Sequence, residues 1–341
     1  DNARLGIWDP DSGEPLLSLP LQSGIYDVEY MPDGKRLAAA HQDGTTSIWD
    51  PVSGRQLLNL AGHASTVISL ATSPDNKTLV SSGYDGTLKC WATGPGYELL
   101  TIAAHDDQAY DLAYSPDGSR LATAGFDGKA KLWDPASGLL ASSLPPENAS
   151  AGLSSLDLSQ DGKVMALSTW DGTAYVTDMT TGHLQFTLPA HMAPVTGLEL
   201  RADGKQLASA GWDGTAKIWD IDKGEAIITL FSKNDLGVGM AISGLDFSPD
   251  GKHLFTGGDD DFVHQWDAAS GEELRRFDAD GMDLYGVAVS PDGKLLAAGR
   301  QDGAVLIWDI SSGELLHDIA AHAGLILRVA FSHDGTKLAS V

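Results

Sequence analysis

Leu207-Ala208-Ser209-Ala210-Gly211-Trp212-Asp213-Gly214-Thr215-Ala216-Lys217-Ile218-Trp219-Asp220 reads as two short apolar runs joined by a Trp-Asp-Gly turn, each the length of one strand. The closing Trp-Asp, or a relative of it, returns at Trp8-Asp9, Trp49-Asp50, Trp91-Ala92, Trp133-Asp134, Thr177-Asp178, Trp219-Asp220, Trp266-Asp267 and Trp308-Asp309, in steps of 41, 42, 42, 44, 42, 47 and 42 residues. A Gly stands five residues after every one (Gly13, Gly54, Gly96, Gly138, Gly182, Gly224, Gly271, Gly313), as a tight turn with positive φ requires. Asp33, Asp75, Asp117, Asp161, Asp203, Asp250 and Asp292 stand sixteen residues before a Trp slot, in Pro-Asp-Gly-like turns. Between the turns lie runs such as Thr45-Thr46-Ser47-Ile48-Trp49 and Gln56-Leu57-Leu58-Asn59-Leu60, and no window offers a capped helix of 3.6-residue period.

Four short strands per 42 residues is the make-up of a propeller blade. Gly62-His63, Ser-Pro-Asp-Gly, Leu-Ala-Ser-Ala-Gly and Lys-Ile-Trp-Asp together resemble the WD40 repeat family over the whole chain. The resemblance implies strands a to d running outward from a channel, with Trp-Asp ending c. The chain then begins inside a strand c (Leu5–Trp8) and finishes with a strand b (Lys337–Val341), leaving two half-blades. Joined, they give a last step of 41 residues and an eighth blade, and they remove exposed apolar edges such as Leu325–Phe331. The expected fold is therefore all-β: one domain over 1–341, a closed eight-bladed β-propeller of four-stranded antiparallel blades. The blades fall at about 25–61, 67–103, 109–145, 153–189, 195–231, 242–279, 284–320, and 325–341 joined with 4–20. From Asp334 round to Trp8 the count is 15 rather than 16, so the seam loop is one residue short or sequence is missing there.

Strand alternation puts the a-b and c-d turns on one face and the d-a and b-c loops on the other, called the top. Length variation concentrates between strands d and a, in 144–152 and 231–241 above all, and loops on a rigid scaffold are where function concentrates. The residue before each b-c Asp faces the same way: Gln42, Tyr84, Phe126, Trp170, Trp212, Asp259, Gln301. Packing between blades is one role for these aromatics, and recognition at an exposed rim is the favoured one. The resemblance adds Tyr26, Tyr110 and Tyr285 near the start of strand a. With Asp106, Asp107, Asp259 and Asp283 they make an aromatic and acidic rim suited to a protein or peptide with Lys, Arg or apolar anchors.

His63, Ser81, Asp85 and Trp91 invite a catalytic reading, but the set recurs as His105, Thr123, Asp127, Trp133 and as His191, Ser209, Asp213, Trp219. An enzyme needs one nucleophile in one pocket, and the family uses this tetrad as a structural hydrogen-bond chain. A fourth copy would combine His322, Ser340, Asn2 and Trp8 across the termini. The blades at Trp49, Thr177, Trp266 and Trp308 lack the full set, and 153–189, where Thr177 replaces Trp, is expected to be the least pinned. No His spacing suggests zinc, and neither a phosphate loop nor a Gly-x-Ser-x-Gly elbow occurs. No metal, cofactor or catalytic residue is expected.

The chain has 47 Asp+Glu against 22 Lys+Arg, a net charge of -25, which argues against gripping phosphate backbones. Twenty-two of the acidic residues fill three recurring turn slots, leaving 25 against 22 basic ones, so most of the acidity is turn chemistry. Cys90 is the single cysteine and no run of 18 apolar residues occurs, which fits a cytoplasmic protein with neither a disulfide nor a membrane span. The near-verbatim blades resemble the bacterial branch of the family, where such rings form sensor or scaffold regions of larger signalling proteins such as STAND NTPases and Ser/Thr kinases. The missing initiator Met fits a piece of a longer chain. The expected function is a monomeric, non-catalytic binding platform. The alternative is a propeller hydrolase or quinone-cofactor dehydrogenase, which would need asymmetric polar residues converging on the channel, and the sequence shows none.

Overall fold

The computed structural model describes residues 4–21, 23–144, 149, 151–232 and 239–341. The fold is an all-β, eight-bladed propeller with four antiparallel strands in every blade, and the described residues contain no helix. The blades fall into two compact units, 23–188 and 189–341 with 1–22.

In the 23–188 unit the 67–103 blade is typical: strands Val67–Thr72 (a), Thr78–Gly83 (b), Thr87–Ala92 (c) and Glu98–Ala103 (d) pair in sequence order. The blades beginning at Ile25, Ala109 and Leu153 repeat it. Strands a of successive blades lie beside one another and strand d is the outer edge. A core of Val80, Leu88, Cys90, Ile102, Leu112, Leu121 and Trp133 welds the 67–103 blade to its successor. Each such buried aliphatic side chain contributes about 1.5–3 kcal/mol. The Cys90 thiol is pushed up to about 12 by burial and by Glu98, so it is an inert filler.

The other unit contains the blades beginning at Val195, Ile242 and Leu284, around Phe255, Phe277, Leu296, Leu306 and Trp308 among others. Its fourth blade is completed by both chain ends, in the order Pro15–Pro20, Arg4–Trp8, Leu338–Ser340, Val329–Phe331. Trp8 opposes Leu338 and Gly6 opposes Ser340, the join expected from the half-blade arithmetic.

The eight c-d glycines all have φ between 67° and 78°, as their spacing predicts. Gly96 shows a second reason for the residue: a Cβ there would meet Leu58 Cδ2 at 2.5 Å, in strand d of the preceding blade. The Asp after Trp caps the same turn. Asp50 Oδ1 accepts the N–H groups of Val52 (2.8 Å) and Ser53 (3.2 Å), which explains why acidity repeats with the turn.

Candidate functional site

The top face of each unit is built on its b-c loops, and the tetrads fix those loops. His63 Nδ1 lies 3.1 Å from Asp85 Oδ1, its Nε2 2.8 Å from Ser81 Oγ, and Trp91 Nε1 donates to Ser81 Oγ at 2.9 Å. Asp85 Oδ2 also accepts the Ala64 N–H at 2.7 Å. The same chain runs through His105, Thr123, Asp127 and Trp133 (2.9, 2.9 and 3.0 Å) and through His191, Ser209, Asp213 and Trp219 (3.0, 2.9 and 3.0 Å). Burial holds the His63 and His191 imidazoles below their usual value against the pull of Asp85 and Asp213. A neutral ring donating from Nδ1 and accepting at Nε2 fits the sequence of donors. Asp127 is held at about 2 because the bonds from His105 and neighbouring N–H groups outweigh its burial. Three histidines with side chains 0% exposed have no access to a substrate, so this chemistry is structural. At the seam, His322 Nε2 and Trp8 Nε1 both reach Ser340 Oγ (2.8 and 2.9 Å), and Asn2 lies outside the described residues.

The blades without the tetrad are pinned too, by residues the sequence reading passed over. In the 25–61 blade, His41 Nε2 and Trp49 Nε1 each lie 2.6 Å from Ser47 Oγ. In 242–279, His264 comes from strand c and sits between Asp260 (2.7 Å) and Glu273 (2.6 Å), while Trp266 donates to Thr256 Oγ1 at 2.9 Å. In 284–320, Arg300 forks onto Asp302 at 2.8 and 2.9 Å. The 153–189 blade, expected to be loosest, has Thr169 Oγ1 at 2.5 Å from Asp171 Oδ1. For three of these four blades the signal available was the residue eight before the Trp slot: Gly83, Gly125 and Gly211 where a tetrad exists, but His41, Thr169 and Arg300 in the 25–61, 153–189 and 284–320 blades; the 242–279 blade keeps Gly258 there and takes its histidine from strand c.

The rim slot is held by one recurring bond. The backbone N–H groups of Gln42, Tyr84, Phe126, Trp170, Trp212, Asp259 and Gln301 donate to Gly24, Thr66, Gln108, Gly152, Pro194, Ala241 and Asp283, at 2.8–3.2 Å. The side chains then diverge. Phe126 (41% exposed) and Trp212 (54%) stand in solvent, with the Phe126 ring against Gly152. Tyr84 packs edge-on against Tyr26 at 6.4 Å between ring centroids, and Trp170 against Tyr110 at 5.9 Å. These four rings are half-buried and stack blade on blade, so the packing role weighed from sequence is real for them. In the other unit Tyr285 and Asp259 are half-buried, and both titrate above their usual ranges through burial and nearby carboxylates, Asp283 among them. Exposed rim residues absent from the sequence expectation are Met192 (97%), Met282 (39%), Leu325 (43%) and Leu327 (44%). Leu327 occupies the strand-a slot of Tyr26, a correspondence that counting back from Asp334 would have found.

Carboxylates on strand a join one blade to the next. Asp27 accepts the N–H of Leu70 (3.0 Å), Glu29 that of Thr72 (3.3 Å) and Asp111 that of Leu156 (2.8 Å). In the other unit Glu199 accepts from Phe247 (3.0 Å) and Asp246 from Val289 (2.7 Å). Strand a is the inner edge of its sheet, and these carboxylates stand in for the missing strand partner of the next blade. Burial and the nearby Asp27 push Glu29 up to about 8, and burial raises Asp246. Among the described residues no group of three or more His, Cys, Asp or Glu is arranged to hold a metal, and no helix is long and apolar enough to cross a membrane.

Comparison with known proteins follows the same lines. The model of the WD domain, G-beta repeat family matches residues 13–50, 54–92, 96–134, 182–220 and 236–267, more than half of the chain. The chain belongs to the WD40 repeat family. A second model, the anaphase-promoting complex subunit 4 WD40 domain, matches 278–334. No curated protein matches the sequence. Among solved structures, a crystal structure of the computationally designed Ika8 protein is similar to 94% of this chain over 96% of its own, with 26% identity and a TM-score of 0.80. WD40 propellers are generally non-catalytic scaffolds that bind protein partners.

Proposed function

We propose that this WD40 domain, residues 1–341, is a non-catalytic platform whose d-a and b-c loop face binds a protein or peptide partner. One observation carries the reading. At the rim slot the backbone is fixed by the same hydrogen bond in seven blades, while the side chain changes from Gln to Tyr, Phe, Trp, Trp, Asp and Gln. A position whose scaffold is constant and whose side chain varies is built for display. The inner carboxylates do not favour a hydrolase or quinone enzyme, because each of those described above is engaged with a backbone N–H of the next blade.

The test is affinity capture from native lysate with the wild-type chain and with Tyr84→Ala/Phe126→Ala/Trp170→Ala/Trp212→Ala, followed by identification of the captured proteins. At least one protein should be retained by the first and lost by the second, its affinity falling more than tenfold in purified form. An unchanged capture profile would sink the proposal.

A further inference from the structure

Two residues before the Trp, each of the three tetrad blades carries a lysine: Lys89, Lys131 and Lys217. Lys131 Nζ and Lys217 Nζ stand over the rings of Trp133 and Trp219, 5.7 and 5.6 Å from their centroids, and Lys89 pairs with Glu98 at 2.9 Å. In the 242–279 blade that slot is His264, stacked on Trp266 with ring centroids 5.3 Å apart and 18° between the planes. Its Nδ1 lies 2.6 Å from Glu273 Oε1, and Glu273, seven residues after its Trp, stands where Glu98 stands. Its Nε2 lies 2.7 Å from Oδ2 of Asp260, which, six residues before its Trp, stands where Asp85 stands. One side chain thus replaces both Lys89 and His63.

A neutral imidazole has one donor nitrogen, and its other nitrogen can only accept. Both nitrogens of His264 face carboxylate oxygens, and the side chains of His264 and Asp260 are 1% and 0% exposed. Burial opposes charge on both carboxylates, yet the bonds from His264 and Ser232 hold Asp260 below the ordinary carboxylate value, and those from Arg276 and His264 do the same for Glu273. The hydrogens of the two bonds must therefore come from the ring. Every element packed on it agrees. Strand d supplies Arg276, which forks onto Glu273 at 2.6 and 3.1 Å, and strand b sets Thr256 opposite. The preceding blade brings Ser232, whose Oγ donates to Asp260 Oδ2 at 2.5 Å, and the apolar Ala216, Ile218 and Leu230 around Trp266. On the b-c loop Asp259 and Asp261 flank Asp260, adding negative charge nearby. Two carboxylates against one guanidinium and one imidazolium are balanced, whereas a neutral ring would leave a buried negative charge uncompensated.

We propose that His264 is an imidazolium that works as a proton-dependent latch: charged, it ties the b-c loop at Asp260 to strand d at Glu273, and in alkali it lets the loop go. A ring with one proton donates to one carboxylate and turns a lone pair on the other. Asp260 Oδ1 has no partner among the described residues, so losing the Nε2 bond leaves that carboxylate poorly satisfied. The tetrad blades respond the other way, because burial keeps His63 and His191 neutral and acid is what disturbs them. The latch lies beneath one rim slot, since Asp260 follows Asp259, and it is independent of what the rim binds.

The test uses the full chain with isotope-labelled histidine, read by long-range proton–nitrogen correlation. Near neutral pH, His264 should show two protonated nitrogens, where His63 and His191 show one protonated and one bare. The His264 signals are identified by their loss in His264→Gln or, should that variant not fold, by their through-space contact with the Trp266 indole. Towards about pH 10 one proton should leave the ring. Across that change, after correction for intrinsic rates, the Asp259 amide on the Ala241 carbonyl should exchange roughly threefold faster or more. The Tyr84 amide, which makes the same bond to Thr66 in a tetrad blade, should not change. A ring with a single proton at neutral pH, a ring still holding both in alkali, or a loss of the proton that leaves the Asp259 amide unchanged would each overturn the proposal.

Discussion

Two kinds of blade solve one problem. The b-c loop carries an Asp whose oxygens take up donors, half-buried at Asp85, Asp127 and Asp213 and exposed at Asp43, Asp171 and Asp302, and beside it lies a space about the size of a side chain. The 67–103, 109–145 and 195–231 blades fill that space with a histidine from the preceding d-a loop and must leave strand b bare: a Cβ on Gly83 would meet His63 Nδ1 at 2.7 Å, and one on Gly211 would meet His191 Cγ at 2.7 Å. The 25–61, 153–189 and 284–320 blades grow a side chain from that same strand-b slot, His41, Thr169 or Arg300. The imported histidine ties two loops together across 22 residues, whereas Thr169 reaches only two residues along its own loop and Arg300 joins Asp302 on its own loop to Asp318 on strand d at 3.3 Å. Packing and polar satisfaction are conserved in kind while the residue supplying them moves, which is how a blade can lose its Trp, as at Thr177, and still hold its rim.

The largest break in this comparison comes from removing an imported histidine. His105→Ala leaves Thr123 and Asp127 facing a cavity, with Asp127 only 6% exposed, and should cost about 2–3 kcal/mol. The urea midpoint should fall, and the Asp106 and Lys129 amides, which donate to Asp127 at 3.1 Å each, should exchange at least tenfold faster. Thr169→Ala, the matching change in a self-plugged blade, should cost about 1 kcal/mol. Equal losses would erase the distinction between the two kinds of blade.

A transplant sharpens it further. His191→Ala should cost about 2 kcal/mol, and adding Gly211→Thr should return about 1 kcal/mol, because Thr fills the vacated space and donates to Asp213 as Thr169 does to Asp171. Gly211 is not among the residues with positive φ, so its backbone accepts the side chain. In the wild-type background Gly211→Thr alone should destabilise, since it drives into the His191 ring. A double variant no more stable than His191→Ala would show that the two locks are not interchangeable.

These locks mark where sequence reading stops. Turn chemistry was legible because it is local: Gly at positive φ, Asp on the next two N–H groups, and a Trp slot at fixed count all act within five residues. Strand pairing at the seam followed from a length, since Trp8 and Leu338 had to meet for the period to hold. The substitute locks were hidden because His264 and Arg300 act from positions that match no family motif, and only the shape of the space shows that they replace His. The inner carboxylates were hidden for another reason. Asp27 and Glu29 sit in a strand that alternates like any other, and their partners, Leu70 and Thr72, lie one blade away. The rim was half legible: alternation placed Phe126 and Trp212 in solvent, but it could not distinguish them from Tyr84 and Trp170, whose neighbours Tyr26 and Tyr110 take up the ring faces.

The smallest expected effect separates the blades by pH. His63 and His191 are held below the ordinary imidazole value chiefly by burial, with Asp85 and Asp213 pulling the other way. Unfolded, each titrates near 6.5, so between that value and the lower folded one the unfolded chain binds more protons. The stability these histidines contribute is complete above pH 6.5 and is lost as pH falls through the folded value. Thr169 carries no charge to titrate, and Arg300 keeps its proton while Asp302, lowered by that same guanidinium, keeps its charge. Between pH 7.5 and 5, after correction for intrinsic rates, the Ala64 and Met192 amides, which donate to Asp85 and Asp213, should exchange a few-fold faster, an effect below about 1 kcal/mol per site. The Thr173 and Ala304 amides, held at the Thr169 and Asp302 loops, should not change. A uniform response across all four sites would mean that acid loosens the blades through the carboxylates they share, and that the choice between an imported histidine and a strand-b side chain has no bearing on how the rim responds to protons.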